Sequence, residues 1–323
     1  MKAIVQYEYG SADVLELSEI DKPAIADEEV LVRVRAAGLD RGVWHLMTGL
    51  PYPVRIAGYG LRAPKTRVRG REVAGSVEAV GKDVTTLAPG DEVFGIAEGS
   101  FAEYARARAD KLAPKPHGLS FEQAAAVSVS ALTALQGLRD HGRVAPGQQV
   151  LIIGASGGVG SFAVQIAKAL GAEVTGVCST AKVEMVRSLG ADHVIDYTRD
   201  DIAASGQRYD VILDTGGNRS LSALRRALTP RGTLVIVGAE TGGRWLGGTD
   251  RQLRALLLSP FVDQKLTTFI SPESNDDLIV LKQLIESGKV TPAIDRTYPL
   301  SEVPAAIRYM EEGRARGKVV IAV

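Results

Sequence analysis

Apolar residues fall on every second position in the run Val30, Val32 and Val34, interleaved with Leu31, Arg33 and Arg35, and that two-residue period predicts a half-buried strand. Segments of the same kind recur through the first third of the chain. KAIVQY (2–7), VLELSEI (14–20), EVLVRVRAAGL (29–39), VAGSVEAVG (73–81) and DEVFGIA (91–97) read as short strands separated by Gly, Pro and Asp. Strands linked by tight turns, with no helical period between them, predict a mainly antiparallel, barrel-like domain.

The period changes at Ser120. Ser120 with Gln123 three residues later forms a capping-box pattern, and the following FEQAAAVSVSALTALQGL reads as a single helix. Strand QQVLIIGA (148–155) leads into a helix whose apolar residues Val159, Phe162, Ala163, Ile166, Ala167 and Leu170 recur at intervals of three and four, forming one stripe that Gly171 ends. EVTGVC (173–178), HVIDY (193–197), YDVILD (209–214), GTLVIVG (232–238) and KLTTFI (265–270) continue as strands, with helices at KVEMVRSLG and SLSALRRAL. Strands alternating with helices predict right-handed crossovers and a doubly wound parallel α/β sheet. A helix through DDLIVLKQLIESG ends at Gly288, and the tail returns to shorter pieces, TPAIDRTYPL, a Ser301-capped helix to Met310 and a last strand GKVVIAV. The expected division is therefore 1–119 as the first part of a discontinuous domain, 120–290 as the parallel-sheet domain, and 291–323 as a return to the first.

Composition narrows the functions open to such a chain. Lys plus Arg is 38 and Asp plus Glu is 38 in 323 residues, so no sequence-wide positive charge favours nucleic acid. The single cysteine, Cys178, excludes an intrachain disulfide and any multi-cysteine metal site, and it reads as the buried end of a strand. No apolar run reaches membrane-spanning length and the first residues carry no leader pattern, so the expectation is a soluble cytoplasmic protein.

The segment Gly154-Ala155-Ser156-Gly157-Gly158-Val159-Gly160 follows an apolar strand and opens an amphipathic helix. Small residues at that turn let the backbone approach a pyrophosphate, and the helix's first N–H groups bind the anion. Against the G-x-G-x-x-G pattern the three positions are Ala155, Gly157 and Gly160, so the first glycine is replaced. The second strand ends in Val177-Cys178-Ser179-Thr180-Ala181-Lys182, where a carboxylate would read the ribose of NAD. Ser179 and Lys182 instead offer a hydroxyl and a cation to a 2′-phosphate, and Tyr197, at the end of the neighbouring third strand, offers a second hydroxyl. The expected cofactor is NADP(H).

With GASGGVGSFAVQIAKALGA at the nucleotide turn, the chain resembles the medium-chain dehydrogenase/reductase superfamily over essentially its whole length. AAGLDRGVW, GREVAGSVEAVG, LAPGDEVFG, GSFAEYA, LTAL, GADHVIDY and the terminal GKVV are similar to its zinc-independent quinone oxidoreductase branch. The resemblance implies a Rossmann domain inserted into a GroES-like domain, a homodimer with strand 265–270 as the candidate edge, and hydride transfer from NADPH to a quinone or an α,β-unsaturated carbonyl compound. It further implies that Thr133 contacts the nicotinamide, Gly238 lies near the cofactor ribose, Phe269, Ile270 and Ser271 line the nicotinamide side, and Lys318 lies near the phosphates. Zinc-dependent relatives carry Cys, His and Cys at the positions aligned with Asp40, Arg71 and Val129. Those replacements imply that no metal serves as Lewis acid.

By the same resemblance, residues 40–53 of the barrel-like half face the nicotinamide and the acceptor. Trp44, Met47 and Tyr52 are expected to form an apolar slot, with His45 or Tyr52 as hydrogen-bond or proton donor to the carbonyl. Asp40 is expected to form an ion pair with Arg41 or Arg71. His117, His141 and His193 read as structural or solvated. The basic stretch 54–71, with Arg62, Lys65, Arg67, Arg69 and Arg71, reads as a solvated loop, and alternatively as a substrate-covering segment that favours acidic acceptors. Two other functions stay open: a zinc-independent alcohol or aldehyde oxidoreductase, and a non-enzymatic NADPH-binding sensor or interaction module.

Overall fold

The computed structural model describes residues 1–202, 206–238 and 243–323. In chain order the strands and helices are β1 (Lys2–Val5), β2 (Glu16–Glu19), β3 (Glu29–Leu39), α1 (Arg41–Thr48), β4 (Glu72–Val80), β5 (Glu92–Ile96), β6 (Tyr104–Arg108) and β7 (Leu112–Pro114). Next come α2 (Phe121–Ala125), α3 (Ser128–Gln136), β8 (Gln149–Ile153), α4 (Gly158–Ala169), β9 (Glu173–Cys178), α5 (Val183–Ser188), β10 (His193–Asp196), β11 (Tyr209–Asp214) and α6 (Leu221–Ala227). The remainder is β12 (Leu228–Ile236), α7 (Thr249–Leu258), β13 (Lys265–Thr268), α8 (Asn275–Glu286), β14 (Ile294–Pro299), α9 (Val303–Glu311) and β15 (Lys318–Ala322).

The chain divides into two compact units, Met1–Leu132 with Glu273–Ser287 and Pro292–Val323, and Thr133–Pro272 with Gly288–Thr291. The first boundary lies later than the expected residue 119 because α2 packs on β3 and β4. Likewise α8 belongs to the first unit, where it packs on β7.

The first unit is built on a sheet ordered β14-β15-β3-β4-β5-β7, with β6 also paired to β3. Every pair in it is antiparallel except β14 with β15. The two-residue period of β3 shows directly in burial: Val30, Val32 and Val34 are core, while Arg33 and Arg35 are exposed. The valines join Val73, Val77 and Val93 in one apolar cluster, and a second cluster gathers Ile4, Leu39, Met47, Phe101, Ile307 and Ile321. Helix α9 starts without a side-chain cap, after Glu302 and with Pro304 in its first turn, so Ser301 does not cap it.

The second unit holds a six-stranded parallel sheet ordered β10-β9-β8-β11-β12-β13. The strand order reverses between β8 and β11, which is the switch point where doubly wound sheets open a crevice at their carboxyl ends. Its core is Leu151, Ile153, Val177, Ile212, Leu234 and Ile236.

Candidate functional site

The carboxyl edge of the parallel sheet collects most of the residues singled out for the cofactor. Beyond β8 lies the glycine loop, beyond β9 Ser179 and Lys182, beyond β10 Tyr197, beyond β12 Gly238, and beyond β13 Phe269, Ile270 and Ser271. Gly154 takes a positive φ of 80°, and a side chain there would lie 2.4 Å from the Thr215 hydroxyl. A Cβ at Gly160 would lie 2.0 Å from the Gly154 carbonyl oxygen, so only glycine lets α4 start this close to β8. Gly157 caps α4 without any side chain, and the Gly158, Val159 and Gly160 amides have no acceptor among the described residues. A twelve-residue helix ending in bare N–H groups between small residues fits a pyrophosphate.

Ala155 replaces the first glycine of the pattern, and the structure shows how it is accommodated. Its side chain packs against Gly176 of β9, where an added Cβ would lie 3.1 Å from the Ala155 methyl and 2.4 Å from Val186. Its amide donates to the Val177 carbonyl, and Ser156 is buried beside it.

Ser179 precedes and Lys182 ends a short helical turn after β9, and β10 lies in parallel beside β9, so the Tyr197 amide donates to the Cys178 carbonyl at 3.1 Å. The Tyr197 ring is half exposed. Asp196, not singled out from sequence, is buried there and accepts from the Thr180 and Thr198 hydroxyls and the Thr198 amide, which hold its carboxyl below the usual range. Cys178 is buried, and its thiol is pushed up to about 11 by desolvation and then by Asp196.

Two further groups at this edge carried no sequence signal. Asp214, wholly buried at the end of β11, accepts from the Gly216 and Gly217 amides and pairs with Arg251 at 2.6 Å. Gln136 of α3 accepts from the Ser271 hydroxyl at 2.6 Å and donates to the Pro272 carbonyl, which ties the 269–272 segment to the helix that bears Thr133. Phe269 stacks on His141 with ring centroids 4.2 Å apart, and a Cβ at Gly238 would meet none of the described residues within 4 Å.

Lys318 does not belong with the phosphate ligands. It lies on β15 of the first unit, 1% exposed, where its ammonium donates to Glu72 and to the Ser130 hydroxyl. Glu72 also accepts from the Val129 amide at 2.8 Å, and burial pushes its carboxyl up to about 7 against the pull of Lys318.

The residues expected around the acceptor are rearranged. Asp40 caps α1, its Oδ1 accepting from the Gly42 and Val43 amides, and it forms no ion pair among the described residues; Arg71 pairs with Glu273 instead. Met47 is wholly buried in the core, and Trp44 packs on that core with its indole N–H bonded to Glu311, so the expected slot does not form. Tyr52 lies under the Arg55 guanidinium. His45 Nδ1 lies 2.7 Å from the Leu50 carbonyl. That oxygen only accepts, so Nδ1 carries the proton, and burial keeps the ring's pKa below the usual range. Neutral His45 thus presents an acceptor nitrogen, and the expected proton-donor role is corrected.

From α1 it is Val43 and Leu46 that face a cavity of about 410 Å³ within the first unit, together with Tyr59, Val68, Arg69 and Arg71. The basic stretch 54–71 is not simply solvated. Residues 67–70 run extended beside β1 and the 99–101 segment, with the Gln6 amide donating to Arg67 and the Phe101 amide to Arg69.

Strand order, glycine turn and helix terminus together define a dinucleotide-binding oxidoreductase. Residues 26–117 match the family described as alcohol dehydrogenase GroES-like domain, and residues 189–321 match the family described as zinc-binding dehydrogenase. A 2-methylene-furan-3-one reductase of Solanum lycopersicum is 34% identical over 99% of this chain and 79% of its own length. A mitochondrial NAD(P)H oxidoreductase of Bos taurus is 35% identical over 100% of this chain and 89% of its own. The Escherichia coli quinone oxidoreductase crystallised with NADPH superposes with a TM-score of 0.85 at 28% identity, covering all of both chains. The chain belongs to the medium-chain dehydrogenase/reductase superfamily, with a GroES-like domain and a Rossmann domain, among the quinone oxidoreductases and enone reductases. The zinc in the second family description does not fit the donors here. Val129 offers none, and Arg71 puts a guanidinium, bonded to Glu273, where a neutral ligand is needed.

Proposed function

We propose that this chain is an NADPH-dependent reductase of quinones or α,β-unsaturated carbonyl compounds. The observation that carries the reading is the carboxyl edge of the parallel sheet, where bare helix amides, hydroxyls and a lysine gather in the order a dinucleotide phosphate requires. The names of the relatives, an enone reductase and a quinone oxidoreductase crystallised with NADPH, support it. In this reading the Gly158–Gly160 amides hold the pyrophosphate, and Ser179, Lys182 and Tyr197 take the 2′-phosphate. Thr133, Gly238 and the 269–271 segment position the nicotinamide.

Bound NADPH supplies a hydride from its nicotinamide ring. With an enone the hydride forms a C–H bond at the β-carbon, the C=C π pair becomes an enolate, and a solvent proton completes the α-carbon. A quinone takes the same two electrons and two protons to give the hydroquinone. The chain's contribution is alignment and exclusion of water, which supply much of the rate in a transfer between preformed partners.

The assay is loss of NADPH absorbance with a panel of quinones and alkyl enones, run with NADH and with a metal chelator. Turnover that prefers NADPH and ignores the chelator supports the proposal. Binding of NADPH without turnover of any acceptor contradicts it and leaves a binding module, and loss of activity with chelator contradicts the donor argument.

We also infer a homodimer through β13. Among the described residues that strand ends the six-stranded sheet with one side unpaired, and Phe261 and Ile270, which flank it, are 84% and 94% exposed.

A further inference from the structure

Of the six cations in the basic stretch, Arg69 alone is buried, at 5% exposure. Its place is fixed from both sides: its amide donates to the Ile4 carbonyl, its carbonyl accepts from Phe101, and Gly70, with a φ of 94°, lies so close to Ser100 and Phe101 that a side chain there would clash. The guanidinium makes one hydrogen bond among the described residues, from Nη1 to the Leu46 carbonyl at 3.3 Å. Among the described residues its Nε is buried without a partner and no carboxylate lies within ion-pair distance.

A buried guanidinium with unclaimed donors is costly unless an anion meets it. Three carboxylates line the same cavity and all are already engaged, Glu29 by the Ala26 amide at 2.9 Å. Glu98 is bonded by Arg106 at 2.6 Å and by the Thr66 hydroxyl at 2.8 Å, and Glu273 is bonded by both Arg71 and Lys111. Desolvation lowers the Arg69 pKa only to about 10, so the group is cationic at neutral pH. Lys65, also on the cavity wall, forms no ion pair among the described residues.

We propose that Arg69 anchors the carboxylate of a small, otherwise apolar acid in this cavity, and that this acid is the acceptor, an enone or quinone bearing a carboxylate. The class follows from the walls. At about 410 Å³ the cavity lies in the range of small-molecule sites, and Val43, Leu46, Val68 and Ile96 suit an apolar body. A monoanion matches the one buried guanidinium left unpaired better than a phosphate dianion does, because Arg71 and Lys111 are held by Glu273, Arg106 by Glu98 and Arg108 by Asp110. The identity of the acid as acceptor rests on the reductase reading; the carboxylate site itself does not.

The test separates the two. Calorimetry measures binding of 4-phenylbutanoate, its neutral amide and inorganic phosphate to the wild-type chain and to Arg69→Met and Arg69→Lys. Kinetics then compare (E)-4-oxo-4-phenylbut-2-enoate with its ethyl ester. The site predicts that the acid binds at least about tenfold tighter than the amide, that phosphate competes poorly, and that Arg69→Met abolishes the preference while Arg69→Lys keeps part of it. The acid should also exceed the ester in kcat/KM by a similar factor, with the ratio collapsing in Arg69→Met. If acid and amide bind wild type equally, the site is refuted whatever the variants do. If the acid binds through Arg69 but neither compound is reduced, the site stands and the acceptor role falls.

Discussion

Gly176 and Ala155 are matched across β9, and the pair explains how a nucleotide turn tolerates a methyl where the usual pattern has glycine. The replacement is legible in the sequence, but the compensation is not, because it depends on which residue of the next strand the parallel register brings opposite. Gly176→Ala should therefore overpack the turn, costing about 1–3 kcal/mol in urea unfolding and weakening NADPH binding. Lys318 shows the reverse error. Its terminal motif points to phosphates, yet its partner Glu72 lies 246 residues away on β4, a pairing that only the sheet creates. Removing either member leaves a buried charge unpaired, so Glu72→Gln or Lys318→Met should lose about 3–5 kcal/mol, with the double variant recovering most of it. The pH dependence has a defined sign. A carboxyl with an ordinary value of 4.5 that rises to about 7 on folding binds its proton more tightly in the native state. Its contribution is therefore present below 4.5 and lost as pH rises through 7. The stability of the wild type relative to Glu72→Gln should fall across that window in denaturation at a series of pH values, and a flat difference would contradict the assignment.

Among the elements, β3, β9 and β11 lie where their periodicity puts them, since two- and one-faced burial writes itself directly into residue order. The alanine-rich stretch after Ser120 is different: it splits into α2 and α3 because the Val129 amide, in the first turn of α3, is claimed by buried Glu72. The capping box at Ser120 is present as read, and Ser120→Ala should cost about 1 kcal/mol in thermal or urea unfolding. Strand β6 is illegible because its inward residues are only Ala105 and Ala107, β7 because it spans three residues, and α7 because its apolar face is weak. In the turn after β9, Lys182 carries the cofactor choice in our reading, and Lys182→Met should reduce the NADPH over NADH preference in kcat/KM by about tenfold or more. An unchanged preference would move the 2′-phosphate elsewhere.

For the whole molecule, the alternation of strands and helices made the parallel sheet and its carboxyl-edge site readable, because each cofactor residue follows a strand end. The acceptor region was far less readable, since α1 gathers Val43, Trp44, Leu46 and Met47 on one face and only packing decides that Met47 lies wholly in the core while Val43 and Leu46 also line the cavity. The proposed dimer through β13 predicts that sedimentation gives a dimer and that Ile270→Asp shifts it toward monomer. The reaction itself is tested most directly by following the transferred atom. With NADPH deuterated at the transferable C4 position and an enone such as 3-penten-2-one, the account predicts deuterium at the β-carbon of the saturated ketone. Deuterium on the carbonyl carbon, with the double bond retained in an allylic alcohol, would contradict it and identify a carbonyl reductase instead.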